Sequence, residues 1–259
     1  MILRAIFVYL TFATMAAACE GDIPCELGDR SYHVRAPDNW DGVTPLPVML
    51  HFHGWARQGD LVVNHGRISA STRRRGVLLL APNGRNKTWN FRRSGSPDVG
   101  FAAAVIEDAA KRYPIDREQI FVSGYSFGAA MAWRYVCDNG NNVAALFAVS
   151  GSIDQRETCA QAPREIRHVH GLTDTVMRYP SDGEDPLYPV ALWRNAYDCD
   201  TPDSQADYFI RSFLTFTRYT WDCAGGRVTF DQHGGGHFIP HGWFGRQLDE
   251  MLGLEPSYP

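Results

Sequence analysis

The stretch Gly124-Tyr125-Ser126-Phe127-Gly128 has the pattern Gly-x-Ser-x-Gly. The apolar run Ile120 to Ser123 leads into it and a small-residue stretch leads out, the strand–turn–helix setting of a nucleophile elbow. Such a turn strains the serine backbone and exposes Oγ at the carboxyl edge of a sheet, where a helix N-terminus favours developing negative charge. A hydroxyl is a weak nucleophile until a base takes its proton. His237 ends the segment Gly234-Gly235-Gly236-His237, after the run Val228 to Phe230, and is the candidate base; His233 and His241 compete for that role. An acid must hold the other imidazole nitrogen. Asp174 follows the run Ile166 to Val169 and the pair His170-Gly171, and is the candidate acid, with Asp222 and Asp231 as alternatives.

A serine attacking a carbonyl needs two backbone donors for the oxyanion. One is expected from Phe127, the residue after the nucleophile. The other is expected from Trp55, in the turn His53-Gly54-Trp55 after an early apolar run. Trp89, Tyr125, Tyr179 and Phe238 are candidate substrate-pocket residues, although aromatics of this kind also pack cores. His51 with His53, and His233 with His237 and His241, invite a metal reading. Three glycines and Pro240 interrupt the second set, and no His-Glu-x-x-His is present, so no metal site and no cofactor are expected.

The elements that must position these residues alternate. Apolar runs at Val48–His53, Gly76–Ala81, Ile120–Ser123, Ala144–Val149, Ile166–His170 and Val228–Phe230 suit strands buried on both faces of a parallel sheet. Val99, Ala102, Ile106, Ala109 and Tyr113 mark an amphipathic helix opened by Ser96-Pro97-Asp98 and closed by Pro114. Helices are also expected over Phe127–Cys137 and Trp243–Leu252. Residues 175–215 read as an insertion over the sheet. The whole reads as one α/β domain over 19–259, a mostly parallel sheet with helices on both faces.

The chain has 259 residues, with Lys plus Arg 25 and Asp plus Glu 29, a formal charge of −4. That balance excludes the basic face of a nucleic-acid binder. Arg73-Arg74-Arg75 reads as a solvated face. Residues 1–18 read as a secretory signal: Arg4, a short apolar core and Ala16-Ala17-Ala18 before the cleavage point. The apolar core is too short for a stable membrane span. Cleavage there would leave Cys19 first, so a lipoprotein is a secondary reading. Six cysteines in an exported chain are expected to form disulfides. Six allow fifteen pairings. Sequence neighbours pair most simply as Cys19–Cys25, Cys137–Cys159 and Cys199–Cys223.

The chain resembles the secreted esterases that include polyhydroxybutyrate depolymerases, feruloyl esterases and acetylxylan esterases. The residues that carry the resemblance are His53-Gly54-Trp55, Asp98-Val99-Gly100-Phe101 through Ile115-Asp116, Ile120–Gly128, His170-Gly171 with Asp174, and Gly234-Gly235-Gly236-His237. It spans roughly residues 30–252 and implies an α/β-hydrolase fold, a triad of Ser126, Asp174 and His237 in the order that fold uses, and disulfides such as Cys137–Cys159 and Cys199–Cys223. Trp55 and Phe238 stand where such enzymes often carry small or polar residues, which narrows the site. Depolymerases of solid polymer tend to carry a linker and a binding module, which are not expected here because the chain stops soon after its last helix. The resulting expectation is a polyhydroxybutyrate-depolymerase-like esterase acting on a small or oligomeric ester. Feruloyl or acetylxylan esterase activity is the alternative. A peptidase of the same fold and an inactive binding module are the remaining readings.

Overall fold

The computed structural model describes residues 19–178, 185–199 and 201–257. The export signal expected over 1–18 and the candidate pocket residue Tyr179 lie outside the described residues. The chain opens with β1 (Cys25–Leu27), β2 (Arg30–Arg35) and β3 (Leu46–Phe52), then the short helices α1 (Gly59–Val63) and α2 (Ser69–Arg73). It continues through β4 (Leu78–Pro82), α3 (Pro97–Ala109), β5 (Ile115–Tyr125), α4 (Phe127–Asn139), β6 (Ala145–Val149) and β7 (Glu165–Gly171). Then come α5 (Ala191–Ala196), β8 (Ser204–Arg211), β9 (Leu214–Cys223), β10 (Gly226–His233) and α6 (Trp243–Leu252).

All ten strands form one sheet in the order β1-β2-β4-β3-β5-β6-β7-β10-β9-β8. The central run from β4 to β10 is parallel. Its strands are apolar on both faces because helices cover both. Val48, Leu50 and Phe52 of β3 pack into the core beneath α3 and α4, with Leu78, Leu80, Ile120 and Val122. Met49, Leu79, Phe121 and Phe147 point the other way, toward Val62, Val63, Ile68, Phe244 and Leu248 of the α1, α2 and α6 side. This alternation of side chains along each strand builds two cores from one sheet.

The expected helices are present, with local differences. Ser96 stands at the N-cap of α3 but makes no side-chain cap bond, and Pro97 begins the helix. The Asp98 carboxylate instead takes Arg30 Nη1 at 2.6 Å and the Asn90 amide at 2.7 Å. The insertion expected over 175–215 is corrected in its second half: Val190, Leu192 and Trp193 at α5 pack onto the sheet's core, whereas β8 and β9 extend the sheet edge as an antiparallel hairpin beside β10. The arginine run is corrected too. Arg73 pairs with Asp38 at the surface, but Arg75 is buried and holds Asp249 at 2.6 and 2.9 Å, tying α2 to α6. Buried charge of this kind must be paired to be tolerated, which a count of like charges along the chain does not show.

Cys19–Cys25, Cys137–Cys159 and Cys199–Cys223 are bonded, the neighbour pairing expected from the sequence. Among the described residues no helix is long and apolar enough to cross a membrane.

Candidate active site

The turn from β5 to α4 carries Ser126 at φ 58°, ψ −124°, a left-handed conformation that costs a non-glycine residue about 1–3 kcal/mol. The flanking glycines make the turn possible. A Cβ on Gly124 would run into the Gly128 backbone, and one on Gly128 into the Phe52 carbonyl. The Ser126 amide donates to the Val149 carbonyl at 2.9 Å, which anchors the turn to β6.

The loops after β7 and β10 leave neighbouring parallel strands, with Gly171 level with His233. They zip together as they leave: Leu172 N–H donates to the His233 carbonyl at 2.8 Å, and Thr173 N–H to the Gly235 carbonyl at 3.1 Å. A side chain on Gly171 would strike the Gly235 carbonyl, so the approach needs glycine. Asp174 and His237 thereby meet. His237 Nδ1 lies 2.7 Å from Asp174 Oδ2, and His237 Nε2 lies 2.9 Å from Ser126 Oγ. The hydroxyl, imidazole and carboxylate expected from the sequence are thus in mutual bonding reach, far apart along the chain.

Asp174 Oδ1 accepts the amides of Val176 and Met177, each at 2.9 Å. Burial would raise its pKa, but hydrogen bonds from His170, His237 and those two amides outweigh it and hold the carboxyl well below the usual range. Tyr125 stacks obliquely on His237, ring centres 4.9 Å apart, and donates its hydroxyl to the His237 carbonyl at 2.9 Å.

The candidate oxyanion turn lies against the elbow: a Cβ on Gly54 would sit 3.7 Å from Ser126 Cβ. His53 holds this turn. Gly84 N–H donates to His53 Nε2 at 3.0 Å, so the ring proton sits on Nδ1 and is donated to the Gly54 carbonyl at 2.8 Å. Burial lowers the His53 pKa to about 4, keeping the ring neutral. The Phe127 amide begins α4 and has no partner within the helix. The Trp55 amide has no backbone partner among the described residues.

The candidate pocket aromatics divide. Trp55 is 66% exposed at the rim. Phe238 packs on His233, ring centres 4.8 Å apart, and lines a recess with Phe213 and Leu214 of the β8–β9 hairpin. Trp89 is 5% exposed; it packs on Phe52 and His53 and donates Nε1–H to the His53 carbonyl at 2.8 Å, so it supports the turn from below.

The competing residues have other partners. His233 Nδ1 accepts the Gly235 amide at 3.1 Å, and His241 meets Phe213. Asp222 pairs with Arg227 at the surface, and Asp231 is held by Arg218. Among the described residues no group of three His, Cys, Asp or Glu side chains is arranged to hold a metal ion.

The sequence reading assigned no part in the site to two histidines of β7. His170 Nε2 donates to the Met177 carbonyl at 2.7 Å and lies 3.5 Å from Asp174 Oδ2. Its Nδ1 is 3.2 Å from Nε2 of His168, which is fully buried and kept neutral by burial. The His-x-His spacing on β7 was the available signal: it puts both rings on one face of a strand.

Comparison with models of known protein families gives no match. In sequence, the chain is 28% identical over 196 residues to a bifunctional acetylxylan esterase/xylanase of Neocallimastix patriciarum, covering 74% of this chain and 28% of that protein. It is 28% identical over 163 residues to a probable feruloyl esterase C of Aspergillus flavus, covering 61% of this chain and 59% of the relative. The chain therefore spans less than two thirds of the length of these curated relatives. In structure, it superposes on an acetyl xylan esterase from Aspergillus awamori with TM-score 0.67 at 15% identity, covering 87% of this chain and 94% of that one. A fluorophosphonate-binding serine hydrolase of Staphylococcus aureus matches with TM-score 0.57 at 12% identity over 86% of this chain and 92% of that one. The chain has the α/β-hydrolase fold, and in sequence it is similar to feruloyl and acetylxylan esterases.

Proposed function

We propose that this chain is an exported serine carboxylic ester hydrolase of the feruloyl or acetylxylan esterase type. The observation that carries the reading is the continuous contact from Asp174 Oδ2 through His237 to Ser126 Oγ, at 2.7 and 2.9 Å. His237 Nε2 takes the Ser126 proton as Oγ attacks the ester carbonyl, help worth about 10²–10⁴-fold. Asp174 holds the Nδ1 proton and stabilises the imidazolium. The amides of Phe127 and Trp55 receive the oxyanion, and losing one such donor costs roughly 3 kcal/mol. His237 returns its proton to the leaving alcohol. Water then enters by the same route and releases the acid.

The sequence relatives favour cell-wall esters over the hydroxybutyrate esters expected first. Three disulfides suit an oxidising compartment and support export. The test is a panel of methyl ferulate, acetylated xylan, p-nitrophenyl acetate and hydroxybutyrate oligomers, run with the protein and with Ser126→Ala. Ser126-dependent release of ferulate or acetate is the expected result. Preferred cleavage of hydroxybutyrate oligomers would restore the depolymerase-like reading, and absence of any Ser126-dependent cleavage would overturn the hydrolase.

A further inference from the structure

The net charge of −4 hides an uneven distribution. Most basic side chains are committed to carboxylates, as Arg30 is to Asp98, Arg75 to Asp249, Arg134 to Glu157 and Arg218 to Asp231. Arg57, Lys87, Arg92 and Arg93 are not. Each is exposed, and among the described residues none has a carboxylate within ion-pair distance. The carboxylates that meet the same stretch of chain are already taken: Asp29 by Arg85, Asp98 by Arg30 and the Asn90 amide, Asp138 by the Gly95 amide.

All four cations stand on two turns that touch the candidate oxyanion residues. Arg57 follows Trp55 by two positions and shares a cavity wall with Gly54 and Tyr125. The Ala56 amide donates to the Lys87 carbonyl at 2.8 Å, which joins the two turns. Phe91, next to Arg92, packs edge-on against Phe127, ring centres 5.3 Å apart. Ala56, Asn86 and Lys87 hold left-handed φ angles of 58°, 52° and 59°. Seven described non-glycine residues do so, and three of them meet at this one hydrogen bond. Such backbone persists only where its surroundings fix it, and it gathers at functional positions. Here buried Trp89 fixes it from below, through Nε1–H on the His53 carbonyl at 2.8 Å. The cations are therefore carried on braced turns, beside the nucleophile, in a chain that is acidic overall.

Like charges gathered at the mouth of a site attract anions and raise their local concentration. The two turns also expose Asn86 and Asn90, and of large apolar side chains only Trp55. A single ring is too little apolar surface to lie in a bilayer interface. One flat ring among amides and cations suits a sugar chain that carries carboxylates, since arginine grips a carboxylate with two parallel N–H groups. We propose that the rim formed by residues 55–57 and 85–93 is a docking surface for an anionic polysaccharide, on which Arg57, Lys87, Arg92 and Arg93 receive the carboxylates of uronic-acid units flanking the ester. The inference rests on the ester-hydrolase reading and adds to it the charge of the polymer that bears the ester.

The test compares acetate release from glucuronoxylan and from its carboxyl-reduced form, in which the uronic acids have become neutral sugars, both acetylated afterwards to the same degree. At about 0.01 M salt the protein should cleave the acidic polymer with kcat/KM about tenfold or more above the neutral one. At about 1 M salt, where the Debye length shrinks from roughly 30 to 3 Å, the ratio should fall to near one. In the fourfold variant Arg57→Gln, Lys87→Asn, Arg92→Gln, Arg93→Gln the low-salt ratio should already be near one; asparagine is used at 87 because it tolerates the left-handed conformation. Arg74→Gln removes an exposed cation at the end of α2 and should keep the full ratio. A ratio near one in the unaltered protein, a ratio that survives the fourfold variant, or a ratio lost equally in Arg74→Gln would overturn the assignment. If p-nitrophenyl acetate is not cleaved either, the hydrolase reading fails separately. Where neither polymer is cleaved, retention of Ser126→Ala on immobilised polygalacturonate decides the rim. Retention that the fourfold changes abolish upholds it; passage without retention, or stronger partition onto phosphatidylglycerol vesicles, rejects it.

Discussion

Two buried aspartates, one just past β7 and one in the neighbouring strand β10, have opposite surroundings. Asp174 lies just past β7, its side chain fully enclosed, and its charge is held by two amides and the imidazoles of His237 and His170. Asp231 lies inside β10, equally enclosed, but it faces a permanent cation. Arg218 grips both its oxygens at 2.7 and 2.8 Å, and Tyr208 Oη and Trp243 Nε1 donate to Oδ2 at 2.9 and 2.7 Å. A guanidinium does not exchange its proton at working pH, so the second arrangement is static. An imidazole does, so only the first can stabilise a charge that appears and disappears during a reaction. Both were candidate acids by sequence; their partners separate them.

The comparison breaks most sharply on paired substitutions. Asp174→Asn keeps the shape and leaves Nδ1 of His237 without its charged partner; kcat on a p-nitrophenyl ester should fall about 10⁴-fold while the thermal midpoint changes little. Asp231→Asn should do the reverse. It leaves Arg218 with Glu250 as its sole carboxylate partner among the described residues and should cost about 3 kcal/mol in urea unfolding, with kcat of the folded fraction nearly unchanged. If both variants lost activity alike, the division between the two sites would fail.

A smaller effect concerns acid. Glu250 shares Arg218 and also meets Arg167. Burial raises its pKa, but the two arginines outweigh this and bring it from 4.5 to about 2. A depressed carboxyl stabilises the fold fully above its unfolded pKa and progressively less below it. Stability from this group should therefore be complete above about pH 4.5 and fade toward pH 2. Urea midpoints followed across that window should decline less steeply in Glu250→Gln than in the unaltered protein.

The smallest expected effect lies behind the triad. His170 touches no reacting atom, and it acts by orienting Asp174. His170→Leu should lower kcat about tenfold with KM unchanged, an effect in the range of such outer partners. His170→Gln, which retains a donor, should recover most of the loss. Equal losses in both variants would assign His170 to packing alone.

Much of the fold was legible because the central strands are apolar on both faces. Leu78–Ala81 and Ala145–Val149 can be little else than buried strands between helices. The β8–β9 hairpin was illegible because Ser204–Asp207 is polar and exposed, so its pairing rests on backbone bonds that no hydrophobic pattern announces. Arg75 misled because its partner Asp249 lies at the far end of the chain. The convergence of Ser126, Asp174 and His237 was legible because each follows closely on a buried strand, near glycines that let backbones approach. The contacts of His51 with Ser123 and of His170 with Asp174 were not. Alternation tells which face of a strand a side chain takes, but not what that face meets.

The most direct test of the central claim is covalent trapping. A fluorophosphonate probe followed by intact mass and peptide mapping should give a single adduct, on Ser126, formed slowly in Asp174→Asn and not at all in Ser126→Ala. An unlabelled protein, or an adduct on another residue with Ser126 untouched, would contradict the account.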